Sequence, residues 1–181
     1  MPDVRKPMLS RIETSEVGPS HGNLTIFSAP RSVLRHLEWT LAEVLALPVT
    51  IHWQPQPLHP ATFWGSLHWS APKGSAARMA SELSGWHYLR YEIFEAPENG
   101  TDGSLFMFIP ELGIYRGTVG PHGDIVLTEH QLSGLVRDSK RETDLVTKIE
   151  NALGRPWNEE LECYRRAIAD GASARLDRVS V

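Results

Sequence analysis

The chain of 181 residues has one cysteine, Cys163. That excludes an internal disulfide and any metal centre built from several thiolates. Long apolar runs are also missing. The most apolar stretch, Ala42 to Ile51, is broken by Glu43 and Pro48 and falls far short of the roughly 20 residues of a membrane-spanning helix. Neither sign of charge dominates: 18 Lys and Arg stand against 22 Asp and Glu, a net charge of −4. A broad electrostatic footprint for nucleic acid is thereby disfavoured. The segment MPDVRKPMLSRIETSEVGPSHG has no apolar h-region, so no secretory signal is expected. The expectation is a cytoplasmic protein with no membrane partner.

What is present is an alternation of strand and helix periods. Asn23–Ser28 reads as a short strand with Leu24 and Ile26 on one face, ended by Pro30. Ser32 is placed to cap a helix running to Ala46, whose apolar stripe is Leu34, Leu37, Leu41 and Val44/Leu45. Pro48 stops it. Val49–Gln54 alternates as a half-buried strand, and Pro55, Pro57 and Pro60 then impose a loop. Thr62–Ser70 alternates again. Gly74-Ser75 opens a second helix with Ala76, Met79, Ala80 and Leu83 inward, Gly85 is placed as its C′ residue, and Tyr88–Glu95 is a fourth strand. The order β-α-β-β-α-β predicts an α+β fold whose first half is a ferredoxin-like sandwich, with strand order 4-1-3-2 and both helices on one face.

Three parts follow: a flexible arm over 1–22, the ferredoxin-like half over 23–97, and an extension over 98–181 packed on the same domain. The extension begins with a hairpin, Leu105–Ile109 with Gly113–Val119, which extends the sheet. A glycine-rich loop from Gly117 to Asp124 comes next. Three helices then follow. The first opens at Thr128 with Gln131 three residues on, a capping-box signature. The second runs from Glu142 to Leu153, closed by Gly154. The third runs from Pro156-Trp157 to Gly171 with a stripe of Trp157, Leu161, Tyr164 and Ile168.

Alternation sorts the first four strands into two faces. Leu24, Ile26, Val49, Ile51, Trp53, Phe63, Leu67, Trp69, Leu89, Tyr91 and Ile93 face the two helices. Thr25, Phe27, Thr50, His52, Gln54, Trp64, Ser66, His68, Arg90, Glu92 and Phe94 face away. The second set is too aromatic for bare solvent and too polar for a dry core. Either the hairpin and C-terminal helices cover it, or part stays open as a binding surface. The third helix is charged on all sides but its stripe, so it is expected to lie on that face by one edge and leave a groove beside it, bordered by the glycine loop. In that groove the ligand-binding candidates are Arg90, Glu92, Trp64, His68, His52, Phe27, Arg116, Gly120 and Gly123. Arg90 and Arg116 would meet the carboxylate or phosphate of a small anionic ligand, and the glycine amides would cradle an anion. Two other readings stay open. His122 and Asp124 are candidates for an acid–base pair or metal ligands in a small enzyme, against a plain structural loop. Phe27 and Trp64, on adjacent strands, have the geometry for stacking the bases of single-stranded RNA. No P-loop or dinucleotide fingerprint accompanies the glycines. No motif implies a cofactor, and no metal site is assigned: His52 and His68 lack a third ligand other than a guess at Glu92.

Ser28-Ala-Pro30, His36-Leu-Glu-Trp39, Val44-Leu-Ala-Leu-Pro-Val49, Trp53-Gln-Pro-Gln-Pro57, Gly85-Trp86, Leu89-Arg-Tyr-Glu92, Leu112-Gly-Ile114, His122-Gly-Asp-Ile125 and Leu153-Gly-Arg-Pro-Trp157-Asn-Glu-Glu-Leu161 stand in this order along the chain. In these motifs the chain resembles the actinobacterial family of unknown function DUF3145, from Gly22 to Arg178. Cys163-Tyr-Arg165 and Arg175-Leu-Asp-Arg178 depart from the family's Pro-Phe-Arg and Trp-Leu-His segments. The family carries no established activity. The resemblance implies, through gene context, a link to fatty-acid and lipid metabolism. The reading favoured is a non-enzymatic binding or regulatory module with a protein partner or a small anionic ligand, and a homo-oligomer is compatible with it.

Overall fold

The computed structural model describes residues 18–98 and 100–179, with side chains up to residue 171. The arm expected over 1–22 lies outside the described residues as far as residue 17, and its boundary is corrected: Ser20, His21 and Gly22 already belong to β1 and pair with β3. The elements are β1 (Ser20–Pro30), a 3-10 turn (Arg31–Val33), α1 (Leu34–Leu45), β2 (Gln54–Pro55), β3 (Thr62–Ala71), α2 (Ser75–Leu83), β4 (Arg90–Glu95), β5 (Gly103–Ile109), β6 (Gly113–Val119), β7 (Ile125–Val126), α3 (Glu129–Asp138), α4 (Glu142–Ala152) and α5 (Arg155–Val179). The strands make one antiparallel sheet in the order β2-β3-β1-β4-β5-β6-β7. The first four strands therefore follow the expected 4-1-3-2 order, and the hairpin β5–β6 continues the sheet beyond β4.

The face that carries α1 and α2 holds the larger core. Leu24, Ile26, Tyr91, Ile93, Phe106 and Phe108 from the strands meet Leu37, Leu41, Ala76, Met79, Ala80 and Leu83 from the helices. Burying an aliphatic side chain of this size is worth ~1.5–3 kcal/mol, so the apolar positions of the alternating strands dictate which face turns inward. The entry to α2 is capped from across the sheet. Buried Glu95 at the end of β4 accepts hydrogen bonds from the amides of Gly74 (2.8 Å) and Ala76 (3.2 Å), with Lys73 Nζ at 3.7 Å. The expected capping box of α3 is formed: Thr128 Oγ1 accepts from the Gln131 amide and Gln131 Oε1 from the Thr128 amide.

Several local expectations are corrected. Ser32 does not cap α1. It lies in the 3-10 turn, and the residue before the helix, Val33, offers no side-chain cap. Gly85 is not a left-handed C′ residue, because α2 ends in a tight turn, with the Ser84 amide donating to Ser81 O at 3.3 Å. The strand expected over Val49–Gln54 pairs with β3 only at Gln54 and Pro55. Glu38 on α1 accepts from the Ile51 amide (3.0 Å) and the Trp53 indole (3.1 Å), and Ile51 sits over Gly65, where a Cβ would approach its Cγ2 to 2.4 Å. The segment is thus drawn up towards the helix layer and off the ladder. The pair Ile125–Val126 adds a short strand that was not expected. The last helix does not stop at Gly171 but continues to Val179. At Gly171 the helix passes close to the proline loop, where a Cβ would lie 3.4 Å from Pro57.

On the other face, among the described residues, only α5 lies across the sheet with buried side chains. Its Leu161 and Tyr164, with Trp157 and Ile168 beside them, pack on Phe27, Leu105, Met107, Ile109 and Tyr115. This is the expected stripe. The α3 and α4 helices bury no residue fully. Two bonds fix the start of α5: Trp157 Nε1 donates to Gly113 O (2.9 Å), and Tyr115 Oη donates to Ala152 O (3.0 Å).

Candidate binding cleft

The single helix α5 reaches only part of the second face. It reaches β6, β5, β4 and the Phe27 end of β1, and among the described residues β3 is left uncovered on this face. Between α5 and β3 runs a cleft of about 280 Å³ lined by Thr25, Phe27, Trp64, Ser66, Glu92, Arg165 and Ile168. Register explains the set. Thr25 pairs with Ser66 on one side and Glu92 on the other, so these three side chains form a row across the floor. Trp64 stands one step along β3 on the same face. A bulge between Ile26 and Ala29 lets Phe27 keep the second face while Ala29 returns to the first core. Gln56 holds the bulge, its Nε2 donating to Phe27 O at 2.6 Å.

The charged wall of the cleft is Arg165, which sequence reasoning missed. Its guanidinium donates to Glu92 Oε2, to Asn158 Oδ1 (2.9 Å) and to Glu162 Oε2 (3.3 Å), and lies over the Phe27 ring at 5.6 Å. Arg166 and Arg165 beside Glu162 hold that carboxyl below the usual range. The signal was present in the spacing. Arg165 is four residues from Leu161 and three from Ile168, so it borders the apolar stripe. The planar fork is thus held by partners on two elements, Glu92 on β4 and Asn158 and Glu162 on α5.

The other sequence candidates are spread over the sheet. Arg90 lies on the second face, paired with Glu111 (3.0 Å) and over the Tyr164 ring at 5.5 Å. Burial pushes the Tyr164 hydroxyl up, with Arg90 pulling the other way, and that hydroxyl shares a 2.7 Å hydrogen bond with His59. Arg116 pairs across from Phe106 and lies over its ring on the opposite face. The two arginines therefore share no cavity, which corrects the expected anion site. The glycine loop does not border the cleft either: it joins β6 to β7 at the far edge of the sheet. The Gly120 amide donates to Asp124 O (2.8 Å) and the Gly123 amide to Gly120 O (2.9 Å), so these N–H groups close a turn and are not turned to an anion. His122 and Asp124 are exposed on that turn. His68 is exposed farther along β3, and His52 on the segment lifted from the ladder. Among the described residues no three His, Cys, Asp or Glu side chains are grouped to hold a metal. Phe27 is 3% exposed under α5, so it offers no stacking platform for RNA.

Two short spacings known from hydrolases also occur, and neither has the matching geometry. Gly18-Pro-Ser-His-Gly22 has the spacing of a nucleophile elbow, but Ser20 opens a strand and is buried, whereas an elbow needs a strand-to-helix turn. Ser70-Ala-Pro-Lys73 has the Ser-x-x-Lys spacing, but Lys73 donates to Ala96 O and Asp102 O and faces Glu95.

No helix among the described residues is long and apolar enough to cross a membrane. Comparison with curated proteins and with solved structures finds no match. A family model described as a protein of unknown function, DUF3145, matches residues 23–178. That span runs from within β1 to nearly the end of α5 and includes all seven residues of the cleft, and on it the chain belongs to the DUF3145 family.

Proposed function

We propose that the protein is a non-enzymatic binding or regulatory module and that the cleft between β3 and α5 is its ligand site. The observation that carries this is the cleft itself: a sheet face beside α5, left uncovered among the described residues, where Trp64 and Ile168 give apolar walls, Thr25 and Ser66 give hydroxyls, and Arg165 paired with Glu92 gives the charged groups. Such a mixture, mostly apolar with a few convergent polar groups, is the usual composition of a small-molecule pocket. The ligand class we infer is a small carboxylate with an apolar body. The carboxylate exchanges with Glu92 on Arg165, and the body lies on Trp64 and Ile168. This suits a cytoplasmic setting in fatty-acid metabolism, which the family resemblance implies. For the first half we further propose a ferredoxin-like sandwich, supported by the order of its elements and strands.

The test is a titration of the labelled protein with acetate, octanoate, benzoate and inorganic phosphate, followed by the indole signal of Trp64 in proton–nitrogen spectra. Octanoate or benzoate is expected to move that signal, and Arg165→Ala to abolish the movement. A Trp64 indole unmoved by every probe, or moved equally in Arg165→Ala, refutes the reading.

A further inference from the structure

We propose that two copies of this chain associate edge to edge through β3, so that the open face becomes a two-walled groove. The observation is the edge itself. β3 has β1 along one side, but on the other side β2 pairs only with Phe63 and Trp64. From Ser66 to Ala71 its outward amides and carbonyls meet no strand among the described residues, because the preceding segment is bonded to Glu38 and reaches β3 only as far as Gly65. Sheets usually protect such an edge by shortness, proline or charge. β7 at the other edge is two residues long, and β6 beside it presents Arg116. β3 has ten residues, with no proline, lysine, arginine, aspartate or glutamate among them. Among the described residues it is the less protected of the two edges of the sheet.

The occupant that fits is a second copy. An antiparallel pairing of β3 with β3 about a two-fold axis is self-complementary. It sets no two formal charges opposite one another, since Ser66, His68 and Ser70 are the exposed side chains along that stretch. It also completes the face. In one copy the lane over β3 has α5 as its only wall among the described residues; in the pair, the second copy's α5 stands on the far side. From β1 to β1 is three strand spacings, about 14 Å, which is a floor bearing two copies of Trp64, Ser66 and Thr25. The association rests on the edge alone. Use of the groove for a ligand rests on the reading above.

Sedimentation velocity over a wide concentration range tests it, with His68→Lys/Ser70→Lys and His68→Glu/Ser70→Glu as variants. Both positions are exposed and outside the cleft lining, and circular dichroism checks that the variants fold. The wild-type chain is expected to be a dimer. Each variant should dissociate more readily, by about tenfold or more in Kd (~1.4 kcal/mol or more), because like charges then oppose across the seam. An equimolar mixture of the two variants should regain the dimer. A monomeric wild type, variants that dimerise as tightly as wild type, or a mixture that stays monomeric each overturns the proposal. None of these outcomes bears on the carboxylate titration, which reads the cleft of a single copy.

Discussion

Gly154 is where the position of the cleft wall is set, and replacing it by alanine separates two costs. The residue links α4 to α5 at φ +75°, and a Cβ there would lie 2.7 Å from Tyr115 Cζ, 2.8 Å from Cε1 and 2.9 Å from Met107 Cε. The methionine end can move. The tyrosine ring cannot easily do so, since its hydroxyl bonds Ala152 O and Trp157 packs on it at 5.4 Å. A left-handed conformation costs a non-glycine residue ~1–2 kcal/mol, and overpacking a rigid site adds ~1–3 kcal/mol. Gly154→Ala should therefore destabilise by about 2–5 kcal/mol, which for a chain of this size lowers Tm by roughly 4–20 °C. Gly123 provides the control: its φ is +87°, but a Cβ there meets nothing within 4 Å. Gly123→Ala should cost only the backbone part, ~1–2 kcal/mol. The assay is urea unfolding of both variants, followed by tryptophan fluorescence. If Gly154→Ala costs no more than Gly123→Ala, the close approach of Tyr115 does not set the α4–α5 junction, and the reasoning fails.

Other outcomes follow from the same packing. Glu95→Ala leaves the amides of Gly74 and Ala76 without their acceptor and should cost ~3 kcal/mol. Glu95→Gln should cost less, and equal stability of Glu95→Ala and wild type in a urea melt would discount the cap. Glu38→Ala frees the Ile51 amide and the Trp53 indole. It should cost ~1–3 kcal/mol and speed exchange of the Ile51 amide; unchanged exchange would show that the segment is held some other way. Burial pushes the Tyr91 hydroxyl well above its ordinary value of 10.0. Its contribution is intact below pH 10 and is lost as the pH rises above it, when the unfolded chain ionises first. Tyr91→Phe should flatten the alkaline fall in stability, and an identical slope in both proteins would contradict this. Hydrogen bonds from Lys148 and the Lys140 amide hold the Asp144 carboxyl below its ordinary range. The stability it lends is present above the ordinary aspartate value and lost as the pH falls through the lower native one. Lys148→Gln should raise its midpoint in a carbon-detected titration; an unmoved midpoint would exclude that partner.

Periodicity alone determined most of the secondary structure and both faces of the sheet, because burying apolar side chains on one side of a strand or helix is a local demand written at spacings of two and three to four residues. Leu24, Ile26, Tyr91 and Ile93 turned inward as their alternation required, Thr128 and Gln131 made their capping box, and Trp157, Leu161, Tyr164 and Ile168 reached the second face as one stripe. The cleft was only half legible. Alternation puts Thr25, Phe27, Trp64, Ser66 and Glu92 on the second face, but which residues of that face meet a cavity depends on how far one helix extends across seven strands. That extent is set by Gly154, by the Trp157 bond to Gly113 and by the bulge at Phe27, none of which has a periodic signature. The partners of charge were decided by tertiary structure too. Arg90, Arg116 and Arg165 look alike in sequence. Folding sends Arg90 to Glu111, puts Arg116 on the opposite face, and sets Arg165 at the cleft with Glu92, seventy-three residues away in the chain. Long charged side chains take their partners from whatever surface packing brings within reach, and that is a property of the assembled fold.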